Sequence, residues 1–125
     1  MRIANENLLD ASGAVSLASN QTLKPVYLGH IINYSIQLVF TGSPTGTFKL
    51  QASNDPGRPS GASDTEVQIG LSNWTDIADS TQAISAAGDH TWTVENAGYS
   101  WVRVVYTFAS GSGSLTSARC VVKGL

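Results

Sequence analysis

The run His30-Ile-Ile-Asn-Tyr-Ser-Ile-Gln-Leu-Val-Phe40 decides the fold class. Its even positions carry His30, Ile32, Tyr34, Ile36, Leu38 and Phe40, while Asn33, Ser35 and Gln37 stand between them. A period of two belongs to a strand with one face in a core and the other outside it. Ile31 and Val39 fall on the second face and add apolar surface there, which favours packing against another subunit.

Downstream, residues 46–53 repeat the alternation, with Phe48, Leu50 and Ala52 on one side and Thr47, Lys49 and Gln51 on the other. The Thr-Gly-Ser-Pro-Thr-Gly between the two runs has the punctuation of a turn, so they are expected to form a hairpin. Residues 54–72 break the rhythm with Pro56, Gly57, Arg58, Pro59, Gly61 and Gly70. Prolines remove ladder donors and glycines favour turns, so this segment reads as a long surface loop, with room for a short strand at 66–69. Long loops in compact domains often carry function.

Strand patterns resume at 73–78, 82–85, 90–95, 100–109 and 113–123, separated by Gly88-Asp89, Asn96-Ala-Gly98 and Ser110-Gly-Ser-Gly113. Turn signals every ~8–12 residues are the spacing of an all-β sandwich or barrel. Upstream, only Leu8-Leu9 and residues 14–17 carry strand signals, so residues 1–24 read as an N-terminal arm or a first edge strand. Residues 25–125 read as the sandwich domain. Helix is not expected: residues 76–87 come nearest and lack an apolar stripe. The chain is thus predicted to be all-β, a single-domain antiparallel β-sandwich, as its 125 residues suit one core and not two.

Composition narrows the function. Charged residues are 13% of the chain, about half the usual share, and Ser and Thr supply more than a fifth of it. The formal net charge of −2, with seven scattered Lys and Arg, gives no reason to bind a phosphate backbone or an anionic membrane. Nucleic acid and membrane are therefore not expected partners. No apolar run approaches the ~20 residues of a membrane span, and the first ten residues lack the apolar core of a signal peptide. The Asn-x-Ser/Thr sequons at Asn20, Asn33 and Asn73 are read as incidental in so hydroxyl-rich a chain. Cys120 is the sole cysteine, which excludes an intrachain disulfide; alternating with Ala118 and Val122, it reads as a small buried hydrophobe.

Catalysis finds no purchase. Acid–base work by paired carboxylates would need Asp76 with Asp79, or Asp55 with Asp64, across a cleft, and nothing in the spacing marks either pair. Asp55 and Asp89 adjoin turn residues, where Asp bonds nearby backbone amides. His30 and His90 each fall on the apolar face of a strand and read as core or rim residues. The chain has no nucleophile elbow, zinc-protease helix, phosphate loop or calcium loop. No enzyme activity, cofactor or metal is expected.

Aromatic residues carry the better signal, because protein interfaces and sugar sites both use flat, rigid surfaces with a polar edge. Trp101 falls on the opposite parity from Val102, Val104, Tyr106 and Phe108, so Trp101 and Arg103 are expected to face outward. Together with Arg58 in the long loop, Trp74 just after it, and Tyr99, they form the candidate partner-contact set. The plainer alternatives are that Trp74 and Trp92 belong to the core and that an adjacent loop covers Trp101.

Gly46-Thr-Phe-Lys-Leu-Gln-Ala-Ser-Asn-Asp55, Asn73-Trp-Thr-Asp76, Gly98-Tyr-Ser-Trp-Val-Arg-Val-Val-Tyr106 and Gly111-Ser-Gly-Ser-Leu115 together resemble a group of small β-sandwich proteins of tailed bacteriophages. The resemblance spans about residues 30–124 and extends to jelly-roll and discoidin-like sandwiches generally. In that pattern the Ser-Asn-Asp turn leads almost directly into Asn-Trp, whereas this chain inserts residues 56–72. The resemblance implies a jelly-roll-like fold and a structural part of the virion. The part expected is a cement or decoration protein, made in the host cytoplasm and carried on the capsid surface, whose partners are capsid subunits. It also implies a homo-oligomer, with a trimer about a local three-fold axis as the form considered. The alternative is a carbohydrate- or receptor-binding module of a tail fibre or spike, with Trp74, Tyr99 and Trp101 stacking on sugar rings. Either way the mechanism is binding, and several modest contacts would sum through effective concentration.

Overall fold

The computed structural model describes residues 3–9, 14–28, 31–54 and 73–123. Eleven strands lie among them: β1 (Ile3–Asn7), β2 (Val15–Ser16), β3 (Gln21–Thr22), β4 (Val26–Tyr27), β5 (Asn33–Gly42), β6 (Thr45–Ser53), β7 (Thr75–Asp76), β8 (Gln82–Ile84), β9 (Gly88–Val94), β10 (Trp101–Ser110) and β11 (Gly113–Lys123). No helix occurs among the described residues. The expected loop at 54–72 lies, after Asn54, outside them.

Two antiparallel sheets stack face to face. The first runs β1-β11-β5-β9, with β2 also on β11; the second runs β3-β10-β6-β7, with β4 also on β10 and β8 also on β6. Short strands that share a neighbour form single interrupted rows, so β1 with β2, β3 with β4, and β7 with β8 reduce the set to eight rows. In chain order, row one then pairs with eight, two with seven, three with six and four with five. That nested pairing, a long hairpin rolled up on itself, is the jelly roll. The segment up to residue 24 supplies β1, β2 and β3, which line one edge of each sheet.

Alternation places the core between the sheets. Tyr34, Ile36, Leu38 and Phe40 of β5 meet Phe48 and Leu50 of β6, Val102, Val104 and Tyr106 of β10, and Ala118, Cys120 and Val122 of β11, all buried. Phe48 stacks at tilted angles on Phe40 and Tyr106, with ring centroids 5.7 and 4.9 Å away. Such aromatic pairs add about 1 kcal/mol each beyond their buried area. A bulge between Leu115 and Ser117 switches parity in β11, so Leu115 is buried as well as Ala118. Ile31 departs from the expectation of an outward side chain: it lies before β5 begins, its N–H bonds the Leu28 carbonyl at 2.8 Å, and it is 2% exposed within the core. A period of two holds only where the backbone is extended.

The expected hairpin of β5 and β6 is not formed. β5 pairs with β11 and β9, and β6 with β10, β7 and β8, so the chain changes sheet between them. It changes back between β10 and β11, and the two corners pack together, with the Ser43 N–H donating to the Ser112 carbonyl at 2.8 Å. Glycine makes the approach possible. Gly42 and Gly111 have φ of +86° and +78°, and a Cβ on Gly111 would sit 2.2 Å from the Ser43 oxygen. Of the expected turn residues 41–46, only Ser43 and Pro44 lie outside β5 and β6, and what they build is a corner between sheets.

A candidate contact face on β6, β7 and β10

The odd residues of β6 and β10 point away from the core, and cross-strand pairing sets Trp101 beside Ser53, Arg103 beside Gln51 and Val105 beside Lys49. β7 continues the row, with Asp76 beside Gln51. The short β7 is held in place from behind: the Ile77 N–H donates to the Leu50 carbonyl at 2.9 Å. Buried Ser80 accepts from the Leu50 N–H at 3.0 Å and donates to the Ile77 carbonyl at 2.7 Å. Trp92, reaching from the other sheet, donates its indole N–H to the Ser80 carbonyl at 2.8 Å.

On this frame the outward side chains join into one row. Asp76 accepts from Gln51 Nε2 at 2.8 Å and from Lys49 Nζ at 3.0 Å. Gln51 in turn accepts from Arg103 Nε at 2.9 Å, and the Arg103 guanidinium lies over the Trp74 ring, 4.2 Å from its centroid. The hydrogen bond from Gln51, and then that from Lys49, hold the Asp76 carboxyl below its ordinary pKa. This is the opposite direction from the raised carboxyl of a general acid. Burial lowers the pKa of Arg103, which as a guanidinium stays charged at neutral pH. The Trp74 indole nitrogen is shielded and has no hydrogen-bond partner among the described residues. A surface ion pair such as Lys49–Asp76 adds little to stability, so the row's effect is to preset the positions of Arg103 and Trp74.

The five sequence-derived contact residues separate. Trp74 and Arg103 come together in this row, both half-buried. Trp101 is on the expected outer side, the one buried hydrophobic outside the core cluster among the described residues, yet it is 4% exposed. Tyr27 of β4 packs on it at 5.0 Å, and Tyr27 itself is 41% exposed. Trp101 is therefore corrected from an outward contact to a covered residue, with Tyr27 as the exposed ring.

Tyr99 stands apart from this row, half-buried. The backbone bends at residues 99 and 100 before β10 begins, so Tyr99 does not share the outward parity of Trp101 and Arg103. Its hydroxyl bonds that of buried Tyr34, its ring meets Tyr34 edge-on at 6.3 Å, and it packs against the core. Burial raises the pKa of both phenols, and for Tyr34 the Tyr99 hydrogen bond raises it further. Tyr99 also lines a cleft of about 370 Å³ with Ala52, Ser53, Asn54, Asn73 and Thr75. Arg58 lies outside the described residues, as do His30, Asp55 and Asp64.

Sequence reasoning missed Tyr27, Gln51, Lys49 and Asp76 as members of this face. Lys49 and Gln51 were legible as the solvent side of β6, but their partner Asp76 is 25 or more residues away. Among the described residues no group of three His, Cys, Asp or Glu is placed to hold a metal ion. His90 is half-buried against the edge of Trp92, with ring centroids 4.7 Å apart, and Asp79 sits in a turn with φ of 62°.

No family model matches the chain, and no curated protein matches it significantly. Among solved structures it is similar to the SPBc2 prophage-derived protein YomS, at 15% identity and a TM-score of 0.54, over 98% of this chain and 94% of that one. It also aligns with a chain from the infectious bursal disease virus Gx strain, at 15% identity and a TM-score of 0.47, over 97% of this chain and 32% of the other. At this identity the likeness to YomS is one of fold: the two chains share a sandwich architecture over nearly their whole lengths.

Proposed function

We propose that this chain is a non-enzymatic structural protein of a virus particle, a capsid cement or decoration protein that bridges neighbouring capsid subunits. The observation that carries the reading is the preset Trp74–Arg103 pair on the outer face of β6, β7 and β10. Trp and Arg are the residues that most often dominate protein interfaces, and side chains fixed before contact lose less entropy on binding. The four phage-like sequence motifs support it. So does the prophage origin of YomS, which sets the same architecture in a phage-encoded protein. Self-association would supply several such faces per assembly, so that weak single contacts add.

The glycan-binding alternative loses the Trp101 ring, which is covered, while half-buried Tyr99 is tied through its hydroxyl to Tyr34. Cryo-electron microscopy of the native particle tests the reading. Density at junctions between capsid subunits, lost with Trp74→Ala, is the expected result. Density only on a tail or spike, or no particle association, would overturn it and move the search to glycan arrays.

A further inference from the structure

We propose that two copies of this chain pair through β9, edge to edge and antiparallel about a two-fold axis at Thr91, joining their first sheets into one continuous sheet. A sheet edge offers unpaired N–H and C=O groups, and proteins usually blunt it with short strands, prolines, breaks or charges. Three of the four edges here are blunted. β3 and β4 are two residues each with Pro25 between them, and β7 and β8 are two and three. β1 is five residues and gives way to the separate β2 on the same neighbour.

The fourth edge is different. β9 runs seven residues in unbroken register along β5, from Tyr34 opposite Val94 to Phe40 opposite Gly88, without proline or bulge and with Asp89 as its one charged residue. Among the described residues no strand pairs with its other side.

The sequence of β9 favours a second copy as its occupant. With Thr91 on the axis all seven residues pair, Gly88 with Val94, Asp89 with Thr93 and His90 with Trp92. Thr91, Thr93 and Asp89 are exposed on the outer side. Thr91 therefore meets its own copy, a favourable cross-strand pair. Asp89 meets a hydroxyl instead of another carboxylate, so no like charges oppose each other. On the inner side Trp92 comes opposite the partner subunit's His90, repeating between copies the edge-on His90–Trp92 contact that each copy already makes. The interface is isologous, so it closes at two copies and does not propagate into fibres.

The test uses the purified full chain and does not depend on where the protein sits in a particle. Light scattering over a dilution series should give twice the monomer mass. Thr91→Lys and Thr91→Glu, each folded by thermal melt, should each halve that mass by setting like charges on the axis. Mixing the two should restore it. Thr93→Lys brings its new charge opposite the partner subunit's Asp89, and should keep the dimer and make it salt-sensitive. A monomeric or trimeric wild type, folded position-91 variants that keep the wild-type mass, a mixture that stays monomeric, or loss of the dimer with Thr93→Lys would each overturn the proposal.

Discussion

On the outer face of the sheet built on β6 and β10, side chains are tied to one another; on the outer face of the sheet built on β5 and β11, they stand apart. The first face carries Lys49, Asp76, Gln51, Arg103 and Trp74 in one connected row, with Trp101 covered beside it. The second carries Ser35, Gln37, Thr91, Thr93 and Arg119, whose side chains make no hydrogen bond to one another among the described residues. Its relief is a shallow groove of about 480 Å³ lined by residues such as Ser35, Thr93, Val121 and Lys123. Both obey the same alternation. Parity tells which side chains leave the core, and it leaves open whether they then meet solvent or each other.

Trp101→Ala should have the largest effect on that contrast. A buried Trp reduced to Ala costs about 3–5 kcal/mol, and chemical denaturation should show a loss of that order. A loss below about 1 kcal/mol would mean that the ring contributes like an exposed side chain, making the two faces alike. Trp74→Ala comes next and acts on a different quantity. Folding should change little, since a partly exposed cation–π contact is worth about 0.5–1 kcal/mol. Affinity for the partner should fall by about 2 kcal/mol, roughly thirty-fold, as for an interface hot spot. Equal binding by the variant and the wild type would remove this face from the contact.

How much of this was legible follows from what period-two patterns can encode. The inward rows of β5, β6, β10 and β11 were readable because each is a local alternation, and the start and end of β11 at residues 113 and 123 match the reading. The pairing of β5 with β6 was not, because two strands with apolar faces satisfy the same pattern side by side in one sheet or face to face across a core. The corner is decided by Gly42 and Ser43 packing on Gly111 and Ser112, some seventy residues on. The parity of Trp101 was readable, but its cover, Tyr27, arrives from β4 with no signal in the sequence around Trp101. Tyr99 shows the converse: one bend before the strand removes it from the parity of its neighbours.

Asp76 allows a smaller test in which pH is the variable. Its folded pKa is lowered by Gln51 and Lys49, so any stability it adds is present above the unfolded carboxylate value, about 3.9. That contribution fades as pH falls through the lowered folded value. NMR titration should find Asp76 ionising below ordinary aspartates. The stability difference between wild type and Asp76→Asn should be present near neutral pH and vanish in acid. A difference that persists unchanged into acid would mean that the amide and the carboxylic acid differ for reasons other than charge, and the row would lose its electrostatic link.

Gln37→Ala should do least, and that is its value. Gln37 sits mid-strand in β5, between β11 and β9 and opposite Arg119 and Thr91, as central on its sheet as Gln51 is on the other. Both are glutamines on outward parity in long strands. Gln51 bridges Arg103 and Asp76, whereas Gln37 is exposed and joined to neither neighbour. Denaturation of Gln37→Ala should therefore stay within about 0.5 kcal/mol of wild type. Gln51→Ala should exceed it and also shift the Asp76 titration upward. If the two glutamines cost the same, the connected row adds nothing beyond a plain strand surface, and the difference between the faces is one of appearance. If they differ in this order, the connected row is what separates the two faces.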